Sequence, residues 1–256
     1  MQQEPTTPNV ARIYDYLIGG SHYNVADQRV GDMLRQSLPW APKGMRHGRW
    51  TLFTFVEQFA KAGLTHYLDL ATGFPTEDYP HAHLSPDAKI VYNDINLRVV
   101  EEARRIIGDR DTIRYVHSDA RQIDTILAVA EDLFGAERRV AISMVGLVYF
   151  IDDASLAAMF ERLYAWSAPG SQLGVTTFVA DEQDPNYRKL LAAYDRMGVT
   201  VYQRSPEELL RLAGPWQLGP DGMPRLELLA EQHLGTKVAF DDESGQLGYG
   251  GILYRS

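Results

Sequence analysis

Apolar and polar positions follow one pattern in the N-terminal segment of the chain and a different pattern in the rest. Over residues 1–64, apolar side chains return every three or four positions, which is the period of one helical face. From residue 65 onward, short apolar runs alternate with helix-spaced segments, and this alternation is typical of βαβ units with a parallel sheet. The pattern predicts an α/β fold that carries additional helices at its N-terminal end.

Three helices are predicted before the first strand. Asn9 can cap the first helix, a glycine pair ends it, and Tyr14 lies on its apolar stripe, which favours a core position. The other face of this helix holds Arg12, Asp15 and Tyr16. Residues 21–27 are predicted to form a loop before the second helix, and residues 39–48 are predicted to form a turn-rich connector to the third.

Acidic residues stand at the ends of three successive predicted strands. Asp69 belongs to the apolar run that begins at residue 65, Asp94 follows the strand of residues 89–92, and Asp119 follows the strand of residues 113–116. The carboxyl ends of parallel strands share one edge of a sheet, which is where α/β folds bind ligands. An acidic residue after the second strand can accept hydrogen bonds from the two hydroxyls of a ribose. Although Asp94 and Asp119 individually are more often helix caps, the series with Asp69 favours an adenosine site.

The turn after the first strand lacks the glycines of a dinucleotide-binding loop. Thr72 and Gly73 break the strand, and Gly73 lets the backbone approach a ligand closely. Ala71 and Pro75 occupy positions where the dinucleotide fingerprint has glycine. This difference argues against a pyrophosphate bound at a helix N-terminus, and hence against an NAD-dependent oxidoreductase.

Composition makes several classes of function improbable. The 256-residue chain has a formal net charge of -9 and no basic run longer than an arginine pair, so nucleic-acid binding is not expected. It has no cysteine, and its histidines lack HxxxH or HExxH spacing, so no metal is predicted. No apolar stretch approaches the roughly 20 residues of a membrane span, and no signal peptide is visible. We therefore expect a cytoplasmic protein without a membrane partner.

Several sequence blocks match one known family. The blocks are residues 11–20 (ARIYDYLIGG) with Asn24 and Asp27, residues 68–76 (LDLATGFPT), residues 86–92 (PDAKIVY), Tyr115 and Val116 with Asp119 and Arg121, Leu147, Phe150 and Asp152 with residues 169–171 (PGS), and residues 249–251 (YGG). In these blocks the chain resembles bacterial S-adenosylmethionine-dependent methyltransferases that were first catalogued as a domain of unknown function. The resemblance covers nearly the whole chain. It implies a Rossmann-like class I methyltransferase fold, with a seven-stranded, mostly parallel sheet whose last strand is antiparallel, and S-adenosylmethionine as the cofactor.

The resemblance also implies roles for individual residues. Asp94 would hold the ribose hydroxyls, Ile95 would pack on the adenine, and Asp119 would accept a hydrogen bond from the adenine amino group. Asp69 and Gly73 would lie by the methionine part. The remaining cofactor contacts are assigned to Arg12, Tyr16 and Gly20 in an N-terminal lid, and to Ala71, Thr72 and Ala120.

We interpret the protein as a methyltransferase that acts on an unidentified small molecule and releases S-adenosylhomocysteine. The alternative is a non-catalytic S-adenosylmethionine-binding or regulatory protein, because Gly48, Asn96 and Tyr149 depart from the family pattern. The candidate catalytic contacts to the acceptor are Tyr16, His22 and Tyr149. Residues 1–64 are predicted to form a helical lid on a core of residues 65–256, with both parts in one structural domain.

Overall fold

One sheet organises the computed structural model, which describes residues 8–74, 79–108, 110–196, 198–239 and 246–256. Its strands are β1 (His66–Leu70), β2 (Lys89–Asp94), β3 (Ile113–His117), β4 (Ala141–Met144), β5 (Gln172–Ala180), β6 (Gln217–Leu218) and β7 (Gln246–Tyr254). Their order in the sheet is β3-β2-β1-β4-β5-β7-β6. Strands β1 to β5 run parallel, whereas β7 runs antiparallel to β5 and β6. The predicted seven-stranded, mostly parallel sheet with an antiparallel last strand is confirmed.

Helices connect the strands and cover the sheet. In the described ranges they are α1 (Val10–Ile18), α2 (Val25–Ser37), α3 (Ala41–Lys61), α4 (Leu97–Ile107), α5 (Ile123–Phe134), α6 (Asp153–Trp166), α7 (Pro185–Asp195), α8 (Pro206–Leu212) and α9 (Leu226–Leu234). Short 3-10 turns occupy Pro80–Ala82 and Val148–Phe150. Within the part of the chain that the structure describes, no helix is long and apolar enough to cross a membrane.

Alternation along the strands directs side chains into two core layers. Leu68 and Leu70 of β1 are fully buried on the face that packs against α5, α6 and α8. Tyr67 is buried on the opposite face, where α3, α4 and α9 pack. Because successive side chains of a strand point to opposite faces, one short apolar run serves both layers. The expected arrangement of helices on both faces of the sheet is confirmed.

Two helix starts differ from the sequence prediction. Helix α2 begins at Val25, inside the predicted loop, because the Asn24 side chain accepts hydrogen bonds from two N–H groups of the first turn. Helix α3 begins at Ala41, so most of the predicted connector over residues 39–48 is helical. Pro42 lies in the first turn of α3, where its missing N–H breaks no helical hydrogen bond. The proline therefore marks a helix start and not a turn.

The N-terminal helices differ in how they relate to the sheet. Phe55 and Phe59 of α3 are buried in the same core layer as Tyr67 of β1. Helices α1 and α2 form a smaller cluster, in which Ile13 and Leu17 pack against partly buried side chains of α2 and the start of α3. Helix α3 is thus a fixed layer of the core, and α1 and α2 extend beyond it. The division between lid and core at residue 64 stays a prediction.

Candidate functional site

A cavity of about 800 Å³ opens where the parallel strands end. Asp69, Asp94 and Asp119 line this cavity at or just beyond the ends of three neighbouring strands. Helices α1 and α3 also contribute to its wall, through side chains that include Tyr14 and Arg49. The carboxyl end of a parallel sheet is the usual place of a ligand site in an α/β fold, so this cavity is the candidate site.

Asp69 is a buried carboxylate near the end of β1, with 3% of its surface exposed. The Ser143 hydroxyl donates a hydrogen bond to Oδ1, and the Thr72 hydroxyl donates to Oδ2 at 2.5 Å. The Tyr67 hydroxyl donates in turn to Ser143 Oγ at 2.7 Å. Burial raises the pKa of Asp69 to about 6, although both hydroxyl hydrogen bonds favour the charged form and lower it. At pH 7 the group is therefore mainly a carboxylate.

The turn after β1 has a glycine-like backbone at a residue that is not glycine. Ala71 has a φ of 60°, and Gly73 has a φ of 69°. This left-handed conformation costs a residue with a Cβ roughly 1–2 kcal/mol, so Ala71 is held under strain. The Thr72 N–H donates to the Asn93 carbonyl at 2.9 Å and ties the turn to β2. The three turn residues assigned to the cofactor all line the cavity, whereas Pro75 lies outside the described residues.

The end of β2 presents a carboxylate and an amide to the cavity. Asp94 is 7% exposed, and it accepts hydrogen bonds from the Gly73 N–H at 3.1 Å and the Asn96 N–H at 2.8 Å. Burial raises the pKa of Asp94, whereas these two hydrogen bonds lower it. The Asn93 side chain donates to two carbonyl oxygens, but its buried Oδ1 has no hydrogen-bond partner among the described residues. Because buried acceptors are rarely left without a donor, Oδ1 is available to a ligand.

Asp119 lies just beyond β3 and is half-buried at the cavity wall. The Arg121 side chain donates to both of its carboxylate oxygens at 2.5–3.0 Å, and this interaction holds the pKa of Asp119 below its usual value. The adjacent Ala120 is buried. Ile95, directly after β2, also lines the cavity and is 64% exposed.

Two predicted cofactor residues of α1, Arg12 and Tyr16, do not line the cavity. Arg12 is buried against Asp27 of α2, with Nε and Oδ2 2.5 Å apart. The Tyr16 hydroxyl donates to Asp32 Oδ1 at 2.5 Å. Both side chains therefore join α1 to α2.

Gly20 and His22, the other predicted lid contacts, also lie away from the cavity wall. Gly20 is so close to the Asp15 carboxylate that an added Cβ would overlap it. The His22 N–H donates to Asp15 Oδ2 at 2.7 Å, and its ring lies parallel to the Phe74 ring with the centroids 6.1 Å apart. His22 thus contacts the end of the turn after β1 and lies outside the cavity wall.

The apolar stripe of α1, and not its polar face, borders the cavity. Val10 and Tyr14 line the wall, and the Tyr14 hydroxyl donates to the Met45 carbonyl at 2.9 Å. Tyr14 is half-buried, so the prediction that it is simply a core residue needs correction. The physical reason is that Arg12 and Tyr16 have their partners in α2, and this pairing fixes the rotation of α1 about its axis.

A second part of the cavity wall, which we call the aromatic wall, consists of Tyr149, Phe150, Phe178 and Tyr194. Ring centroids are 4.8 Å apart for Tyr149 and Phe150, 5.3 Å for Tyr149 and Phe178, and 5.5 Å for Phe150 and Tyr194. Burial raises the pKa of Tyr149 well above its ordinary value and that of Tyr194 to about 12, so both hydroxyls stay protonated at neutral pH. Of the three predicted acceptor contacts, Tyr149 is the one on the cavity wall.

Several charged or titratable cavity residues lie outside the predicted set of site residues, among them His47, Arg49 and Glu227. The charge of Arg49 lowers the pKa of Asp69, which shows that the two groups share one electrostatic environment. His47 is 3% exposed, and burial lowers its pKa. The helical period of α3 was the available signal for His47, which the sequence prediction placed in a connector of residues 39–48. Arg49 directly follows that segment. Glu227 has no comparable local signal.

The three positions that depart from the family pattern, Gly48, Asn96 and Tyr149, all line the cavity. Asn96 caps α4 by accepting a hydrogen bond from the Arg98 N–H at 3.0 Å. Gly48 lies within α3, and no atom comes within 4 Å of the place where its Cβ would be. All three positions therefore belong to the candidate site, and the fold around them accommodates the residues present.

Comparisons with known proteins give matches over most of the chain. A family model described as S-adenosyl methyltransferase matches residues 2–228. The crystal structure of a candidate methyltransferase from Thermobifida fusca has a TM-score of 0.84 and 26% identity, over 98% of this chain and 96% of that chain. A DUF574 family protein from Streptomyces avermitilis has a TM-score of 0.83 and 23% identity, over 98% of both chains.

A more distant structure shares the fold alone. The N-methyltransferase NodS from Bradyrhizobium japonicum, crystallised with S-adenosyl-L-homocysteine, has a TM-score of 0.50 and 12% identity, over 95% of this chain and 98% of that chain. No curated protein matches the chain.

Replacing Ser143 by alanine should raise the pKa of Asp69 further above about 6, because it removes a hydrogen bond that favours the carboxylate. A carbon-13 NMR titration of the Asp69 carboxyl group measures this shift. Ser85→Ala, at an exposed serine away from the cavity, is the matched control and should leave the titration unchanged. An unchanged or lower pKa in Ser143→Ala would contradict the assigned role of the Ser143 hydroxyl.

Proposed function

The chain belongs to the S-adenosyl methyltransferase family, and we propose that its methyl acceptor is a small molecule. The cofactor is S-adenosylmethionine, and the product is S-adenosylhomocysteine. The observation that carries the proposal is that the strand-end carboxylates and the aromatic wall line a single cavity. Its volume of about 800 Å³ lies toward the upper end of the roughly 300–1,000 Å³ typical of ligand pockets. Such a volume has room for the cofactor together with a small acceptor.

The residues at the ends of β2 and β3 fit the adenosine part of the cofactor. Each Asp94 oxygen accepts one backbone N–H and has a further lone pair, which can accept a hydrogen bond from a ribose hydroxyl. Ile95 offers an apolar surface to the adenine, with Ala120 and the anionic Asp119 also on the wall. The buried Oδ1 of Asn93, which lacks a donor in the described structure, is a further acceptor for a cofactor N–H or O–H.

The turn after β1 fits the amino-acid part of the cofactor. Asp69 offers a carboxylate to the ammonium group, and Arg49 offers guanidinium donors to the carboxylate of the methionine part. Gly73 has open space where a Cβ would lie, so its backbone can come close to the ligand. Ala71 and Thr72 line the same turn. We leave the lid residues Arg12, Tyr16 and Gly20 out of this contact set, because they lie within the α1–α2 cluster and its connecting loop.

Catalysis in this site depends mainly on holding donor and acceptor in line and close together, which removes much of the entropic barrier. Bound S-adenosylmethionine supplies an activated methyl group, whose carbon–sulfur bond breaks with its electron pair left on sulfur as an acceptor lone pair forms the new bond. The protonated Tyr149 hydroxyl can donate a hydrogen bond to the acceptor, but its raised pKa makes it a poor general base at neutral pH. We assign the uptake of an acceptor proton to His47, which burial favours in its neutral form.

The protein should bind S-adenosylmethionine and S-adenosylhomocysteine, and it should not bind NAD, because the turn after β1 lacks the fingerprint glycines. Calorimetry with each ligand measures this preference. Incubation with methyl-labelled S-adenosylmethionine and a metabolite extract should then yield a labelled small molecule. Tighter binding of NAD, or label found solely in protein or nucleic acid, would contradict the proposal.

Asp94→Ala should weaken the binding of S-adenosylhomocysteine about tenfold to a hundredfold. A charge-assisted hydrogen bond contributes roughly 1.5–3 kcal/mol, which corresponds to that loss of affinity. Calorimetry measures the change. Asp94→Asn, which keeps the shape of the side chain, is a second variant to measure if Asp94→Ala does not fold. Asp87→Ala, at an exposed position outside the cavity wall, is the control. Wild-type affinity in a folded Asp94→Ala variant would show that Asp94 does not bind the cofactor and serves only to accept the two backbone N–H groups.

We further propose that α1 and α2 act as a lid over the bound cofactor. Val10 and Tyr14 of α1 line the cavity, and His22 stacks on Phe74 at the end of the turn after β1. Through these contacts, a ligand in the turn and a ligand at the aromatic wall can both stabilise the position of α1. A closed lid would exclude water and complete the acceptor pocket.

Bound S-adenosylhomocysteine should slow proteolysis within residues 19–27, because the lid would then be held in place. Tyr23, which is 37% exposed in this segment, is a suitable cutting site for chymotrypsin. Cleavage after Leu234, which is 38% exposed at the end of α9, is the internal control and should keep its rate. Equal cleavage rates at Tyr23 with and without the ligand would show that α1 and α2 are a fixed layer.

A further inference from the structure

The aromatic wall leaves ring surface open to the cavity. Its members, Tyr149, Phe150, Phe178 and Tyr194, are each half-buried, and each contacts at least one other member through its ring. The rings meet in tilted or edge-to-face arrangements, at angles of 58–69°. A planar ligand can therefore find both ring faces and ring edges on this part of the wall.

A buried arginine holds the aromatic wall in place. Arg204 is 4% exposed, and its guanidinium donates to the carbonyl oxygens of Val148 and Ile151 at 2.8 and 2.6 Å. These carbonyls flank the two aromatic residues that follow β4. The Arg204 backbone N–H donates to the Phe178 carbonyl at 3.0 Å. Arg204 thus fixes the two segments that carry Tyr149, Phe150 and Phe178, so these three rings are positioned before an acceptor arrives.

The cavity wall next to these rings carries no charge in the described part of α7 and the segment after it. The lining residues there are Leu190, Tyr194, Gly198, Val199, Thr200, Val201 and Tyr202. Asp69, Asp94 and Asp119 line the cavity at or just beyond the ends of β1, β2 and β3. The other two lining carboxylates have partners: Asp152, two residues after Phe150, accepts a hydrogen bond from the Ser155 N–H, and Glu227 pairs with Arg225 at 2.7 Å. Because a charged group is costly to bury without a partner, this part of the site favours an uncharged ligand group.

We propose that the methyl acceptor is an uncharged, planar aromatic compound whose ring binds against the aromatic wall. This inference rests on the proposed methyltransferase function and specifies its substrate class. Aromatic pairs prefer offset or edge-to-face contacts with centroids roughly 4.5–7 Å apart, a range in which the rings of the wall already meet one another. The hydroxyls of Tyr149 and Tyr194 add hydrogen-bond donors for a polar atom on the acceptor ring.

A pair of probes of the same skeleton tests the inference by binding alone. 2-Naphthol is planar and aromatic, whereas decahydro-2-naphthol has the same ring connectivity and hydroxyl but is saturated and puckered. Calorimetry on the full-length protein, saturated with S-adenosylhomocysteine, should give an affinity for 2-naphthol at least fivefold higher than for the saturated alcohol. Equal affinities, or no binding of 2-naphthol, would overturn the inference.

Variants locate the binding of the aromatic probe. Phe178→Leu and Tyr149→Leu should each weaken 2-naphthol binding roughly two- to tenfold, the range expected for the loss of one aromatic contact. Tyr164→Leu, which removes a half-buried ring outside the cavity wall, should leave the affinity unchanged. Thermal melting and the affinity for S-adenosylhomocysteine show whether each variant is folded. Wild-type affinity for 2-naphthol in the folded Phe178→Leu variant would place the ring elsewhere and overturn the inference.

The preliminary titration with S-adenosylhomocysteine separates this inference from the function on which it rests. If S-adenosylhomocysteine does not bind, the proposed site fails, and the acceptor class fails with it. If S-adenosylhomocysteine binds but the aromatic probe has no advantage, the cofactor site stands and the aromatic acceptor alone is refuted.

Discussion

The buried carboxylate of Asp69 is the interaction on which the site depends. It lies near the end of β1, between β2 and β4 in the sheet, where removing a charge from water is costly. The hydroxyls of Ser143 in β4 and Thr72 in the following turn offset part of this cost. The pKa of about 6 shows that they do not offset all of it. A cationic ligand group beside Asp69 would supply further compensation, which gives this position a physical reason to bind one.

The hydrogen bonds that hold this end of β1 also shape the turn that follows. Ala71 adopts a left-handed backbone that glycine would adopt without strain, and it can do so because both sides of the turn are anchored. The Thr72 N–H binds the Asn93 carbonyl, and the Gly73 N–H binds the Asp94 carboxylate. The ends of β1 and β2 are thereby fixed relative to each other. A binding surface that is preorganised in this way loses less conformational freedom when a ligand arrives.

The N-terminal helices contribute to the site in two different ways, one from a helix of the core and one from a helix outside it. Helix α3 packs on the sheet through Phe55 and Phe59, while His47 and Arg49 on the same helix reach the cavity. Helix α1 pairs its polar residues with α2 and turns Val10 and Tyr14 toward the cavity. The cavity is therefore bounded by a rigid core helix and by a smaller two-helix unit, and the aromatic wall lies on strand-end and α7 positions.

Local sequence determined the alternation of strands and helices, the polar caps at Asn9 and Asn96, and the acidic residues at the strand ends, because each depends on neighbours within one or two turns. The resemblance added the strand count and the antiparallel last strand. The tertiary structure decided the rotation of α1 about its axis, through the ion pair of Arg12 with Asp27. It also brought residues that are far apart in the sequence, such as Tyr14 and Tyr194, to one cavity. The hydrophobic periodicity of the sequence indicates which side chains are buried, but long-range packing decides which residues each of them contacts.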